Sequence, residues 1–230
     1  PPGFCRLSSA AIAASAAASP AIAQVAVEGL VFSDYRVRGY SMSDGDPAAS
    51  FSLSYDDPAG FYLGGVVVGS VHDGGPEVAG FQADAGYALR LAPDVSLDAG
   101  VSRSQYYYAY GGRHLRYTEL YLGLTGPHVS ARVNYSPDYF RAGTSTLYAE
   151  VEGGFEPAAD WIVSAHAGLF SYLGAWPAFL PRNRYDWRIG ATRRFGATGV
   201  HLDLSGRAQG RSTPYTTNAT ALVASLTRSF

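Results

Sequence analysis

The chain contains no lysine: all 17 cationic side chains are arginines, and against 19 carboxylates they leave a formal charge of −2. That balance excludes the basic stripe on which nucleic-acid binding depends. Only 16% of residues are charged, and the single cysteine, Cys5, lies close to the N-terminus, so disulfides and cysteine-ligated metals are excluded together. No apolar run reaches the roughly 18 residues that a membrane-crossing helix needs. A closed β-barrel is then the one remaining way to span a bilayer. What the sequence has instead is 27 glycines, 17 tyrosines and 47% hydrophobic residues, too apolar for disorder and of a length suited to one folded domain.

Residues 1–23 carry Arg6, an Ala/Ile/Leu-rich run and the small-x-small ending Ala21-Ile22-Ala23. This is the pattern of a secretory signal peptide, truncated because the initiator Met is missing. Cys5 precedes the apolar run, which argues against a lipoprotein anchor. Residues 24–230 form the second unit, and export to the envelope of a Gram-negative bacterium is the expectation.

From Val25 onward, apolar and polar residues alternate with period two in twelve stretches: 25–41, 48–56, 61–72, 79–92, 95–108, 117–125, 128–138, 146–156, 161–172, 185–195, 199–211 and 219–230. In 79–92, Phe81, Ala83, Ala85, Tyr87, Leu89 and Leu91 share one face, and Gln82, Asp84 and Arg90 the other. Leu120/Leu122/Leu124 oppose Glu119/Tyr121, Val129/Ala131/Val133 oppose Ser130/Arg132/Asn134, and Val200/Leu202/Leu204 oppose His201/Asp203/Arg207. Strand 61–72, with Val66-Val67-Val68 and its glycines, gives no clear phase. Connections alternate between tight turns, such as Pro93-Asp94 and Gly126-Pro127, and longer ones, such as 173–184. An even number of strands with short turns on one side predicts a twelve-stranded antiparallel barrel with both termini in the periplasm.

Period two does not say which face points inward, and a soluble barrel would bury Phe81 rather than Asp84. The leader, the turn asymmetry, the terminal Phe230 and aromatics at strand ends decide for the membrane. Phe61, Tyr62, Phe155, Trp161 and Phe195 flank short turns, while Tyr106, Tyr107, Tyr108, Tyr110, Tyr117, Tyr139, Phe140, Tyr172, Tyr185 and Trp187 flank long connections, as two interfacial belts would. The apolar face would then meet outer-membrane lipid, and the strand ending in Phe230 would be the part read by the barrel-assembly machinery.

The stretch Ser33-Asp34-Tyr35-Arg36-Val37-Arg38-Gly39-Tyr40-Ser41, then Ser43-Asp44-Gly45-Asp46-Pro47-Ala48 and Gly60-Phe61-Tyr62-Leu63-Gly64, resembles the opening of a proteobacterial envelope family. That family was long labelled conserved hypothetical and is now called TorF-type porins. The likeness continues through Gly86-Tyr87, Tyr106-Tyr107-Tyr108, Thr118-Glu119-Leu120-Tyr121-Leu122-Gly123 and Tyr135-Ser136-Pro137-Asp138-Tyr139-Phe140, covering about 25–170, with Ser43 standing where glutamine is expected. The resemblance implies an outer-membrane porin and names no firm substrate.

Polar-face residues assigned to the lumen are Asp34, Arg36, Arg38, Asp84, Asp98, Glu119, Arg132, Glu150, Glu152, Arg188, Asp203, Arg207 and Arg211. Arg36, Arg38, Arg188, Arg207 and Arg211 fall on one wall and Asp84, Asp98, Glu119, Glu150 and Glu152 on the other, with Arg132, Asp186 and Asp203 breaking the segregation. Two outcomes stay open: a transverse field across a wet constriction, or local ion pairing. The rival to a channel for small hydrophilic solutes is a rim enzyme acting on lipid, or a closed structural or adhesive barrel. Five histidines, His72, His114, His128, His166 and His201, offer no pattern that joins nucleophile, base and orienting group. His72 and His114 read as loop residues and Ser130 as a lumen residue near His128. Asp44-Gly45-Asp46 lacks the later bidentate Glu of a calcium loop. No cofactor, metal or catalytic residue is expected.

Overall fold

The computed structural model describes residues 23–72, 74–108, 113–174, 176, 181–208 and 220–230. Twelve antiparallel strands close into a barrel: β1 (Gln24–Phe32), β4 (Ala48–Asp56), β5 (Phe61–His72), β6 (Gly75–Ala92), β7 (Val95–Tyr108), β8 (Arg113–Thr125), β9 (Val129–Ser136), β10 (Thr146–Ala158), β11 (Trp161–Tyr172), β12 (Asn183–Phe195), β13 (Thr198–Arg207) and β14 (Thr220–Ser229). Two short strands, β2 (Arg36–Val37) and β3 (Tyr40–Ser41), pair only with each other. The barrel closes where β1 meets β14, from Glu28↔Ser229 to Phe32↔Ser225. Closure matters because an open edge would leave a row of backbone groups without partners.

The barrel is inside out. Leu120, Leu122, Leu124, Val200, Leu202, Leu222 and Ile189 are all exposed, while Ser52, Ser102, Ser104, Glu119, Asn134 and Ser164 are buried. A water-soluble core would show the reverse. At about 3.3 Å per residue and a tilt near 40°, a nine-residue strand such as β4 spans about 23 Å, close to the height of an apolar membrane band. The phase of β5 is resolved by its partners: Phe61, Leu63, Val67 and Val71 are exposed and Val66 and Val68 buried. The phase is hidden in the sequence because the inner face carries the apolar Val66 and Val68, and the register shift opposite Val68 and Gly69 places the extra residue, Ala79, in β6, where Ala79 and Gly80 are both buried.

Strand boundaries differ from the sequence reading in three places. β5 and β6 pair as far as His72↔Gly75, so the long connection expected before residue 79 is a tight turn. His114 lies in β8 rather than a loop, exposed and edge-on to Tyr107 at 5.2 Å. The largest difference is at 25–41, which is not one strand. β1 ends at Phe32, Ser33 caps it through Ser33 N–H to Ala224 O at 2.9 Å and Ala224 N–H to Ser33 Oγ at 3.0 Å, and the chain then leaves the wall. Residues 1–22 and Arg211 lie outside the described residues.

Candidate functional site

Residues 33–47 turn into the barrel. Tyr35, Val37 and Met42 are buried there, and their surroundings are side chains of the opposite wall. β2 and β3 form a hairpin with the register Arg36↔Ser41 and Val37↔Tyr40, so Arg38 and Gly39 are its two loop residues. Both have positive φ, 51° and 74°. Two positive φ values in a two-residue connection give the hairpin turn whose twist matches its strands. Glycine tolerates this conformation; a non-glycine residue in it costs about 1–3 kcal/mol. At Gly39 a side chain would also be crowded, since a Cβ would lie 3.0 Å from the Cβ atoms of Arg207 and Asp186. The hairpin tip therefore lies flat against β12 and β13.

Arg38 holds the opposite side. Its Nη1 and Nη2 donate to Glu119 Oε1 and Oε2 at 2.9 and 2.8 Å, a two-pronged pair that only a guanidinium can make with a carboxylate. The guanidinium also lies over the Tyr148 ring at 4.0 Å. Tyr148 reaches inward because β11 offers Gly168 beneath it: a Cβ there would collide with the Tyr148 hydroxyl. At the hairpin base, Asp34 accepts from Arg36 at 2.8 Å and Ser41 at 2.5 Å, and Ser43 Oγ accepts from Tyr35 N–H at 3.0 Å. The turn is thus self-supported at its base and clamped to the barrel at its tip.

Of the ten aromatics expected in the long-loop belt, five face inward instead, Tyr107, Tyr185 and Trp187 face outward, and Tyr110 and the side chain of Tyr108 lie outside the described residues. Tyr106, Tyr117, Tyr139 and Tyr172 are buried, and with Phe140 and Phe170 they form a wall with ring centroids 4.1 Å apart for Tyr139–Phe140 and 4.8 Å for Tyr139–Phe170. Tyr185 remains exposed on the outside. The parity of β7 and β8 could have shown this, since Tyr106 shares a face with Ser102 and Ser104 and Tyr117 with Glu119. At the short-turn end, Tyr62 also faces inward, bonded to Tyr121 at 2.7 Å and to Asp98 at 3.1 Å.

Asp84, Asp98, Glu119, Arg132, Glu150, Glu152, Arg188, Asp203 and Arg207 lie on the interior face of their strands, while Asp34, Arg36 and Arg38 belong to the inserted segment and not to a strand wall. The interior charges pair with near neighbours along the wall and within the inserted segment, and one pair ties that segment to the wall. Arg38 takes Glu119, Arg132 takes Asp98 at 2.9 Å, Arg188 takes Glu152 at 2.6 Å and Arg36 takes Asp34. Arg132 can reach Asp98 because the residue between them in the row is Gly123, and its guanidinium stacks on Tyr121 at 4.2 Å. Glu150 receives the Asn134 amide at 3.5 Å.

The histidines do not assemble a nucleophilic centre among the described residues. His166 Nε2 contacts Asp186 Oδ1 at 3.0 Å and the Tyr148 hydroxyl at 3.1 Å, and His201 sits between Thr192 and Thr227 at 2.8 and 2.7 Å. Neither is bonded to a serine, and His128 is exposed in a turn. Among the described residues no group of three metal-ligating side chains occurs.

Solved structures with this architecture include the KdgM porin, with a TM-score of 0.55 at 13% identity over 89% of this chain and 99% of that one. The NanC porin gives 0.59 at 10% identity over 90% and 99%, and an outer-membrane channel from Pseudomonas putida F1 gives 0.51 at 14% identity over 93% and 97%. At such identities the likeness is one of fold. No curated protein matches the chain in sequence. A family model described as a bacterial protein of unknown function, Gcw_chp, matches residues 14–230, so the chain belongs to the Gcw_chp family.

Proposed function

We propose that this protein is an outer-membrane channel for small hydrophilic solutes, with the 33–47 segment as its internal constriction. The observation that carries the reading is the inverted barrel: an apolar exterior encloses a lumen of serines, threonines and ion pairs, which suits passage of water-soluble molecules through lipid. The termini and short turns are assigned to the periplasm and the long connections to the outside. The fold shared with porins and the resemblance of the first hairpin to TorF-type porins support the same assignment. One such neighbour, the KdgM porin, has been solved in complex with disordered oligogalacturonate, so that protein uses this architecture for a hydrophilic solute.

A catalytic role at the rim has no support among the described residues: His201 meets two threonines and no carboxylate, and His166 meets Asp186 and Tyr148 through the same ring nitrogen, so neither joins nucleophile, base and orienting group. The test is swelling of proteoliposomes in isotonic sugars of graded size. Entry of small sugars, with a size cut-off that rises when the Arg38–Glu119 pair is removed, is the expected result. Proteoliposomes that exclude every sugar with or without that pair would make this a closed structural barrel.

A further inference from the structure

We infer that the chamber between the inserted hairpin and the aromatic wall is a binding site for a carboxylate carried on a ring. This deepens the channel reading by naming a solute class, and it rests on two arginines of the chamber that differ from the carboxylate-bound arginines of the interior. Arg36, Arg38, Arg132 and Arg188 each bind a carboxylate. Arg184 and Arg207, at the long-loop ends of β12 and β13, have no ion pair among the described residues. Arg184 lies over Phe170 at 4.0 Å and donates to the Tyr40 hydroxyl at 3.1 Å; Arg207 lies over the Tyr40 ring at 4.1 Å.

A guanidinium stacked by its face keeps its N–H donors in the plane, pointing past the ring edge, where a carboxylate can take two of them. Asp186 is the acidic neighbour of both, and it is engaged by His166 and Tyr148. Glu119 neutralises Arg38, so the chamber wall presents Arg184 and Arg207 against one carboxylate, Asp186. An anion entering from the long-loop side meets a net positive field in a site partly shielded from water. The enclosed cavity, about 30 Å³, admits a carboxylate head group rather than a whole solute. The attached ring then stays at the mouth of the cavity against Phe140, which is only half-buried and accepts an aromatic ring or the C–H face of a sugar, whereas Tyr139 is already covered by Tyr117, Phe140 and Phe170.

The hairpin supplies one element of this site through Tyr40, whose ring orients Arg207 and whose hydroxyl holds Arg184. Solute recognition and constriction are thus joined in one segment. The shared ligand chemistry is a monocarboxylate on a flat ring, and the two sources of that ring, aromatic acid and sugar acid, are separate arms of the test.

Binding is measured by isothermal titration on the refolded barrel in detergent, a readout that does not depend on conduction. Benzoate and galacturonate are the probes, with benzyl alcohol and galactose as uncharged partners. Saturable binding of either acid, with its uncharged partner binding at least tenfold more weakly, is the expected result, and the acid that binds identifies the ring. The double variant Arg184→Gln/Arg207→Gln should weaken it at least tenfold, and Arg207→Lys, which keeps charge without the fork, should weaken it severalfold. Arg194→Gln, in an ion pair with Glu156 at the short-turn end, should leave it unchanged. Heat-modifiable gel mobility checks that each variant is folded, and Arg207→Gln alone serves where the double variant does not fold. Absence of saturable binding by both acids, or binding that Arg207→Gln leaves unaltered, would overturn the site. A barrel that binds the acid yet passes no current would keep this site and discard the channel.

Discussion

Replacing Arg38 with alanine should free the lumenal hairpin. The substitution removes two charge-assisted hydrogen bonds to Glu119, at 2.9 and 2.8 Å, and a stack on Tyr148 at 4.0 Å. Breaking a buried pair by deleting one partner costs about 3–5 kcal/mol, because the remaining carboxylate is left without compensation. The Arg38 side chain keeps 12% of its surface accessible, so the lower end, about 3 kcal/mol, is the working figure. That corresponds to an opening constant raised by about 100-fold. The assay places a reporter thiol at Val37→Cys in a Cys5→Ser background and follows its reaction with a water-soluble maleimide. Val37 is only 8% exposed, so labelling requires opening. With fast opening and closing, the rate tracks the open fraction. Glu119→Gln should raise the rate in the same direction, and the double variant should add little to either, because both remove one interaction. A change of less than about threefold for Arg38→Ala, or full additivity of the pair, would refute the clamp.

Gly168→Val should push Tyr148 out of its place over β11 and accelerate the same labelling, with a loss of about 1–3 kcal/mol of barrel stability in urea titrations. Gly39→Val, at φ 74° and crowded against Arg207, should weaken hairpin docking while leaving the strands intact, read as faster Val37→Cys labelling with unchanged heat-modifiable mobility. Leu122→Arg, on the exposed face of β8, should cost about 2–4 kcal/mol of stability when folding is measured in lipid bilayers, and little change there would show that the face does not meet lipid. Single cysteines at 129–134 should react with a water-soluble reagent from the lumen side at Ser130 and Arg132 and not at Val129, Ala131 or Val133.

The barrel was legible because period-two patterning and turn chemistry agree over most of the chain: β6, β8, β9 and β13 have the faces that Phe81, Leu122, Val133 and Leu202 announce. The inserted hairpin was missed because Asp34, Arg36, Arg38 and Tyr40 alternate as a continuing strand would. A long wall strand and two short strands around a turn give the same local pattern, and Arg38-Gly39 was the one signal that separates them. Lumen-facing identity was readable from parity, but pairing was not. Arg132 reaches Asp98 over Gly123, which depends on the register of β7, β8 and β9, and Arg38 reaches Glu119 from a loop, which depends on the path of 33–47; neither follows from spacing in sequence. Arg184, which the sequence did not single out, gains its place from stacking on Phe170 and Tyr40, contacts that connect distant segments.

The most direct test of a channel narrowed by its own hairpin is single-channel recording in planar bilayers, comparing the wild-type barrel with Arg38→Ala under the same salt. Small discrete current steps in the wild type and clearly larger steps in the variant are expected. Folded barrels of both proteins that insert and yet give no steps above the lipid baseline would contradict the channel.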